Sequence, residues 1–227
     1  MLIALLPMKG NSERVPQKNI RPLNGKPLFF YVADNIKKTG LFDNLVINTD
    51  SLEIEKMATE RYGDWVNIYK RPAHLRGDMI SMNSIIEYDV KNIGIGHDYM
   101  QTHSTSPFLS PRTIVSAVTE YKKQKNAGTL DSLFSVTKIH SRLYNKDLDP
   151  INHNPHELAR TQDLEVVYEE NSAFYLFSGE SFIANNHRIG RFGKIYPMPR
   201  NSVECIDIDE IDDWVLADLI LKTGLSF

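Results

Sequence analysis

Leu2 to Leu6 form an apolar run without polar alternation, closed by Pro7. A run of that kind suits a strand buried on both faces of a parallel sheet, so the chain is expected to open in the sheet centre. Met8 to Lys26 follow as a polar stretch punctuated by Gly, Asn and Pro, far longer than an ordinary connection. Pro27 then starts a helix with Leu28, Val32, Asn35 and Ile36 at helical spacing and Gly40 past its end. Asn44 to Thr49 reads as a second strand, Ser51 as the cap of a helix closed by Gly63, and Trp65 to Tyr69 as a third strand.

The alternation continues. A helix is expected from Ser84 to about Ile93, a strand at Tyr99 to Gln101, a helix capped by Ser110 and Pro111, and an apolar strand at Leu133 to Val136. Between Lys138 and Glu170 no period persists, and this segment reads as an excursion from the main sheet. Ala173 to Phe177 resumes as a strand, Gly190 to Pro199 is expected to be irregular, and Val203 to Ile208 alternates like a strand before a terminal helix with Ile211, Val215 and Leu219. Strands alternating with helices predict an α/β fold with a mainly parallel sheet.

Composition narrows the class. The 227 residues allow one large domain, and with 41% apolar and 24% charged positions the chain can bury a core without metal or disulfide. Cys205 is the single cysteine, which excludes an intramolecular disulfide or a CxxC site and fits a reducing compartment. The five-residue apolar opening is too short for a signal peptide or a membrane span, so a cytoplasmic protein starting at Met1 is expected. A net charge of -3 gives no general attraction to nucleic acid or membrane, so any anion site is local.

One such site lies in the loop "LLPMKGNSERVPQKN", which with its continuation sets Lys9, Arg14, Lys18, Arg21 and Lys26 against Glu13. At the carboxyl end of a sheet strand, a glycine-bearing basic loop can cradle a polyphosphate; a solvated basic loop is the other reading. No Walker A loop and no GxGxxG occurs. The second site is "CIDIDEIDD". On a strand Asp207 and Asp209 would face one side, a repulsive arrangement that a hard cation such as magnesium relieves. Glu210, Asp212 and Asp213 are explained equally by a helix N-terminus. His103, in a Ser/Thr-rich loop, reads as a turn or hydrogen-bonding residue rather than a base, and Trp65 and Trp214 as packing residues.

Taken together these features resemble the acylneuraminate cytidylyltransferase family, which activates sialic acid and related acidic sugars. The family opens approximately A-R-x-G-S-K-x-apolar-P-x-K-N, and "MKGNSERVPQKN" is similar to it, keeping Gly10, Ser12, Pro16, Lys18 and Asn19. "LNGKPL", "INTD", "RPAHLRGD", "NSAFYLF" and "IDIDEIDDW" follow in order over nearly the whole chain. The resemblance implies a single domain, 1–227, of the three-layer, Rossmann-like nucleotide-diphospho-sugar transferase type, with 138–170 as an inserted dimerisation arm. The implied reaction joins CTP to an acidic 2-keto sugar, giving the CMP-sugar and pyrophosphate, in a homodimer that uses Mg2+.

Carried over residue by residue, Lys9, Gly10, Asn11, Ser12 and Arg14 would line the nucleotide site and Lys18 would bind the triphosphate. Asn19, Arg71 and the loop from Asp78 to Ser81 would hold cytidine. Gln101 and Asn171 would contact the sugar, Arg160 from a partner's arm would pair with its carboxylate, and Asp207 and Asp209 would bind the metal. The chain departs from the family at four places. Lys9 replaces an Arg and Glu13 a Lys, "THSTSP" after Gln101 is two residues longer, and Glu169 or Glu170 stands where an Arg is common. Other acidic sugars, of the 3-deoxy-manno-octulosonate, legionaminate or pseudaminate type, are alternative substrates, and a nucleotide-binding dimer without turnover is the non-enzymatic alternative.

Overall fold

The computed structural model of the protein describes residues 1–12 and 14–224, so the Glu13 departure lies outside the described residues. The apolar opening is the strand β1 (Leu2–Leu5), and its side chains divide between two cores. Leu2, Ala4 and Leu6 enter one hydrophobic cluster while Ile3 and Leu5 enter another, which is why no polar alternation is visible. A small hairpin, β2 (Pro22–Leu23) and β3 (Lys26–Pro27), interrupts the basic loop. It leads into α1 (Leu28–Thr39), which ends on Gly40 in the left-handed conformation at φ 64°.

The sheet grows on both sides of β1. β4 (Asn44–Thr49), reached through α1, pairs parallel with it, and β5 (Val66–Lys70), reached through α2 (Leu52–Tyr62), pairs parallel with β4. On the other side, after α3 (Met82–Ile93), β6 (Asp98–Thr102) is parallel to β1. The chain continues through α4 (Pro111–Asn126), β7 (Ser132–Ile139), β8 (Val167–Ser178), α5 (Gly179–Asn185), β9 (Gly193–Pro199) and α6 (Ile211–Thr223). The order across the sheet is β5-β4-β1-β6-β8-β7-β9, parallel except for β8, which runs antiparallel to both neighbours.

Three layers result. Phe29 and Ile36 of α1, Ile54 of α2 and Ile114, Val118 and Tyr121 of α4 pack on one face, and Ile86 and Val90 of α3 with Phe182 of α5 pack on the other. α6 lies apart, where Trp214 and Ala217 close a third cluster with Val15, Leu23, Leu28 and Ile208. That cluster seats the basic loop and the acidic segment against each other. Among the described residues no helix is long and apolar enough to cross a membrane.

Three expectations are corrected. The stretch expected to be irregular contains β9, which pairs in parallel with β7 although it includes Pro197 and Pro199. It is an edge strand, and prolines are tolerated where no second neighbour needs their missing N–H. Val203 to Ile208 is not a strand. Ser202 caps a short 3-10 turn at Val203–Cys205, and the extended chain after it bonds through Ile208 N–H to the Thr105 carbonyl, outside any sheet.

The excursion 138–170 also begins and ends inside strands, since Lys138 pairs with Tyr168 and Ile139 with Val167 before the ribbon opens. Within it the buried Asn152 accepts from Leu143 N–H and donates to the Ser141 and Glu165 carbonyls, tying both limbs together. At the root of the excursion β7 and β8 lose register between Phe134 and Val136. There the Ser135 hydroxyl donates to the Phe174 carbonyl and accepts from its N–H, and Ser172 is left-handed at φ 57°.

Candidate active site

A cavity of about 400 Å3 opens beyond the carboxyl ends of β1, β4 and β6. After β1 the backbone stays beside β4, with Leu6 and Met8 N–H bonded to the Val46 and Asn48 carbonyls, and this carries Met8 and Lys9 into the cavity wall. Gly10 donates its N–H to Asp50 at 2.7 Å, and a Cβ there would meet the Ser51 Cβ at 2.9 Å. Only glycine lets the loop lie this close to the start of α2. Lys9 also pairs with Asp78, bridging the loop to the segment before α3.

Lys18, Arg14 and Asp209 meet at one end. The Lys18 ammonium, 11% exposed, donates to the Ile208 carbonyl at 2.7 Å and to Asp209 Oδ1 at 3.1 Å. Arg14 reaches the same oxygen at 3.1 Å and Glu210 at 3.0 Å. Asn19 spans the floor, donating to the Lys9 carbonyl and accepting from the Ser104 hydroxyl. Desolvation raises the Asp207 carboxyl above the ordinary carboxylate range, and the neighbouring Asp209 charge adds to it.

This pair fits a divalent cation in kind. Asp209 Oδ1 takes both cationic side chains, while Oδ2 has no hydrogen-bond partner among the described residues. Among those residues no group of three His, Cys, Asp or Glu is placed to hold a metal. Magnesium, which takes few carboxylates and completes its shell from phosphate and water, is the kind of cation that such a pair could hold.

At the opposite end Arg71, 5% exposed, donates to the Asn48 side-chain oxygen and to the Met8 and Asn48 carbonyls. Behind it Asn48 donates to Asp89 of α3 at 2.7 Å, and the second oxygen of Asp89 is buried without a partner among the described residues. Burial pushes the Asp89 carboxyl up to about 7, against the Asn48 hydrogen bond and the Arg71 charge. The folded chain then holds a proton that the unfolded chain has lost, so between about pH 4 and pH 7 stability falls as pH rises, and above pH 7 the cost is complete. Asp89→Asn is expected to raise the melting temperature at pH 8 by about 4–8 °C, with the gain gone near pH 4. Melting curves across that range check it, and a gain independent of pH would exclude a buried ionisation.

Eight expected residues thus line the cavity: Lys9, Ser12, Arg14, Lys18, Asn19, Arg71, Asp78 and Asp209. Asn11 faces an adjoining depression shared with Lys9, Arg71 and Asp78, and Ser81 caps α3 by accepting from Ser84 N–H. Like Gly10, Asn11 and Ser81, four further expected residues do not line it. Asp207 lies just outside, and Asn171 turns towards Thr137, Met198 and Cys205 on the side of β7 and β9. Arg160 makes a two-pronged pair with Asp163 in the excursion. Gln101 is fully buried behind the wall, with its amide nitrogen 3.0 Å from His103 Nε2 and its oxygen accepting from Arg188 at 2.6 Å.

His103 is, as expected, a turn and hydrogen-bonding residue, its carbonyl accepting from Ser106 N–H and its ring meeting Gln101, and its side chain also lines the cavity. Burial, and then the Arg188 charge, pushes it down to about 4, so it stands neutral and Nε2 can accept from Gln101. Asp89 and Arg188 escape sequence reasoning altogether, and Asn48 enters it only within the segment "INTD", with no role of its own. Each sits among other polar residues in a strand, helix or loop, with no local pattern that singles it out.

Comparison with known proteins adds three findings. The model of a family described as cytidylyltransferase matches residues 3–208. The pseudaminic acid cytidylyltransferase of Campylobacter jejuni is 25% identical over 98% of this chain and 97% of that protein. N-acylneuraminate cytidylyltransferase A of Danio rerio is 30% identical over 97% of this chain and 51% of that protein. In three dimensions the chain is similar to a CMP:2-keto-3-deoxy-manno-octonic acid synthetase solved with CTP, at a TM-score of 0.69 and 11% identity over 99% of each chain, which shows the shared fold.

Proposed function

The chain belongs to the cytidylyltransferase family, and from that premise we propose that it transfers CMP from CTP to the anomeric hydroxyl of an acidic 2-keto sugar, a sialic acid or related nonulosonate. The observation that carries this reading is one cavity with Lys18, Arg14 and Asp209 at one end and the buried Arg71 at the other. The span suits a nucleoside triphosphate lying along the carboxyl ends of β4 and β1.

Cytidine would rest against Arg71 and Asn19 with Asp78 and Ser81 at the rim, and the phosphates against the loop from Lys9 to Arg14. In the step itself the sugar oxygen bonds to the α-phosphorus, the bond to the β-phosphate breaks, and the hydroxyl proton leaves to solvent or a base. Lys18 and Arg14 neutralise charge on the departing pyrophosphate. Asp209, with Asp207 beside it, would hold Mg2+, which when bound supplies further charge neutralisation on the phosphates. Buried Gln101, through His103, would shape the sugar side.

The excursion 138–170 is proposed as a dimerisation arm in a cytoplasmic homodimer. In its support, Leu148 and Leu158 are 78% and 95% exposed, with Ile151 and Tyr144 also open to solvent. Apolar surface of this kind marks an interface.

Thermal shift with CTP, UTP, GTP and ATP tests the nucleotide assignment without a choice of sugar. CTP with magnesium at about 100 times its Kd is expected to stabilise by ~2.7 kcal/mol, about 5–10 °C for this size. Pyrophosphate release is then measured with a panel of acidic sugars. Equal shifts for all four nucleotides would overturn cytidine selectivity.

A further inference from the structure

Arg188 lies in the loop after α5, on the sheet face shared with α3. Its guanidinium carbon sits 3.8 Å from the centroid of the Tyr175 ring, and one terminal nitrogen donates to Gln101 at 2.6 Å. Among the described residues its Nε is buried with no hydrogen-bond partner and the guanidinium has no carboxylate within ion-pair distance. Glu170, an acid whose charge it feels, is held instead by the Tyr175 hydroxyl. A guanidinium taken out of water without an anion is costly, and a bound carboxylate would complete its fork of donors.

The strand order says which anion. Arg71 lies over β4, while Lys18 and Asp209 stand at the end of β1, between it and β6. Gln101 on β6 and Tyr175 on β8 carry the line onward to Arg188. Arg188 is therefore on the far side of the reacting centre from cytidine. The phosphates are already faced by Lys9, Arg14 and Lys18. The anion left for this position is the one carried by the acceptor.

We propose that Arg188 binds the carboxylate of the acidic sugar and determines the enzyme's preference for acidic over neutral acceptors. This rests on the cytidylyltransferase reading. Arg188 serves in place of Arg160, whose fork is filled by Asp163 and whose side chain is 73% exposed.

The experiment compares each accepted sugar with its carboxylate methyl ester, by pyrophosphate release, in the wild type, Arg188→Met and Arg188→Lys. CTP affinity is measured calorimetrically in all three. The wild type is expected to prefer the acid by about 100-fold in kcat/KM, and Arg188→Met to lose that preference to within about threefold, with CTP Kd within about twofold. Arg188→Lys should keep part of it, since it keeps the charge without the fork. A merely structural arginine would lower both substrates together. An acid preference preserved in Arg188→Met, or undiminished from wild type in Arg188→Lys should the first variant not fold, would overturn the proposal. Wild-type enzyme that binds CTP but releases no pyrophosphate with any acidic sugar would overturn the underlying reading and the proposal with it.

Discussion

Asp209→Ala is expected to lower kcat by about a thousandfold, ~4 kcal/mol in the barrier, while CTP Kd changes by less than about tenfold. The asymmetry follows from what Asp209 touches. Its Oδ1 orders Lys18 and Arg14, and its second oxygen has no partner among the described residues. Without it Lys18 keeps the Ile208 carbonyl, so the ammonium stays near the cavity and ground-state binding survives. What is lost is the fixed charge arrangement and the proposed metal ligand, both of which matter most when negative charge moves onto pyrophosphate. Asp209→Asn, which keeps the shape, should fall almost as far. Single-turnover rates and CTP binding, measured on the same samples over a magnesium titration, check this. A kcat near wild type in either variant would remove Asp209 from the reaction.

Arg71→Ala should act in the opposite way, through binding and stability together. Its guanidinium satisfies the Met8 and Asn48 carbonyls and the Asn48 side chain, and its charge offsets buried Asp89. Removing it strands those acceptors and leaves Asp89 without a compensating charge, at a cost of ~3–5 kcal/mol, about 10 °C in melting temperature. CTP affinity should fall by at least about tenfold, because the same residue forms the end of the cavity proposed for cytidine. Combining it with Asp89→Asn should return part of the stability and none of the affinity. Denaturant unfolding and calorimetry on the single and double variants separate the two effects. Full recovery of affinity in the double variant would show that Arg71 does not touch the nucleotide.

These two residues divide the cavity along the sheet, and the division explains why the basic loop is built as it is. Gly10 brings it against α2 on the Arg71 side, and Val15 buries it against α6 on the Asp209 side. The loop is thereby fastened at both ends of the cavity. A loop clamped at one end would leave phosphate and metal ligands free to drift apart, and positioning is a large share of what a phosphoryl-transfer site supplies.

The residues alone determined the fold class and pointed to most of the residues that gather at one cavity, because those features are written in local chemistry. The unalternating run Leu2 to Leu6 identifies a strand buried on both faces, and Ser51 and Ser110 cap the helices that follow. Eight of the expected site residues line one cavity, since they lie on loops that the fold must bring to the carboxyl ends of its strands. Tertiary structure alone decided the rest. β9 forms because an edge position excuses its prolines, and Val203 to Ile208 fails as a strand because Ser202 caps a 3-10 turn there and Ile208 N–H is taken by the Thr105 carbonyl. The chain from Asp89 through Asn48 to Arg71, and that from Arg188 through Gln101 to His103, join residues far apart in sequence. No local pattern marks such contacts. Their energy comes from burial and from exclusion of water, which exist only once the layers have closed.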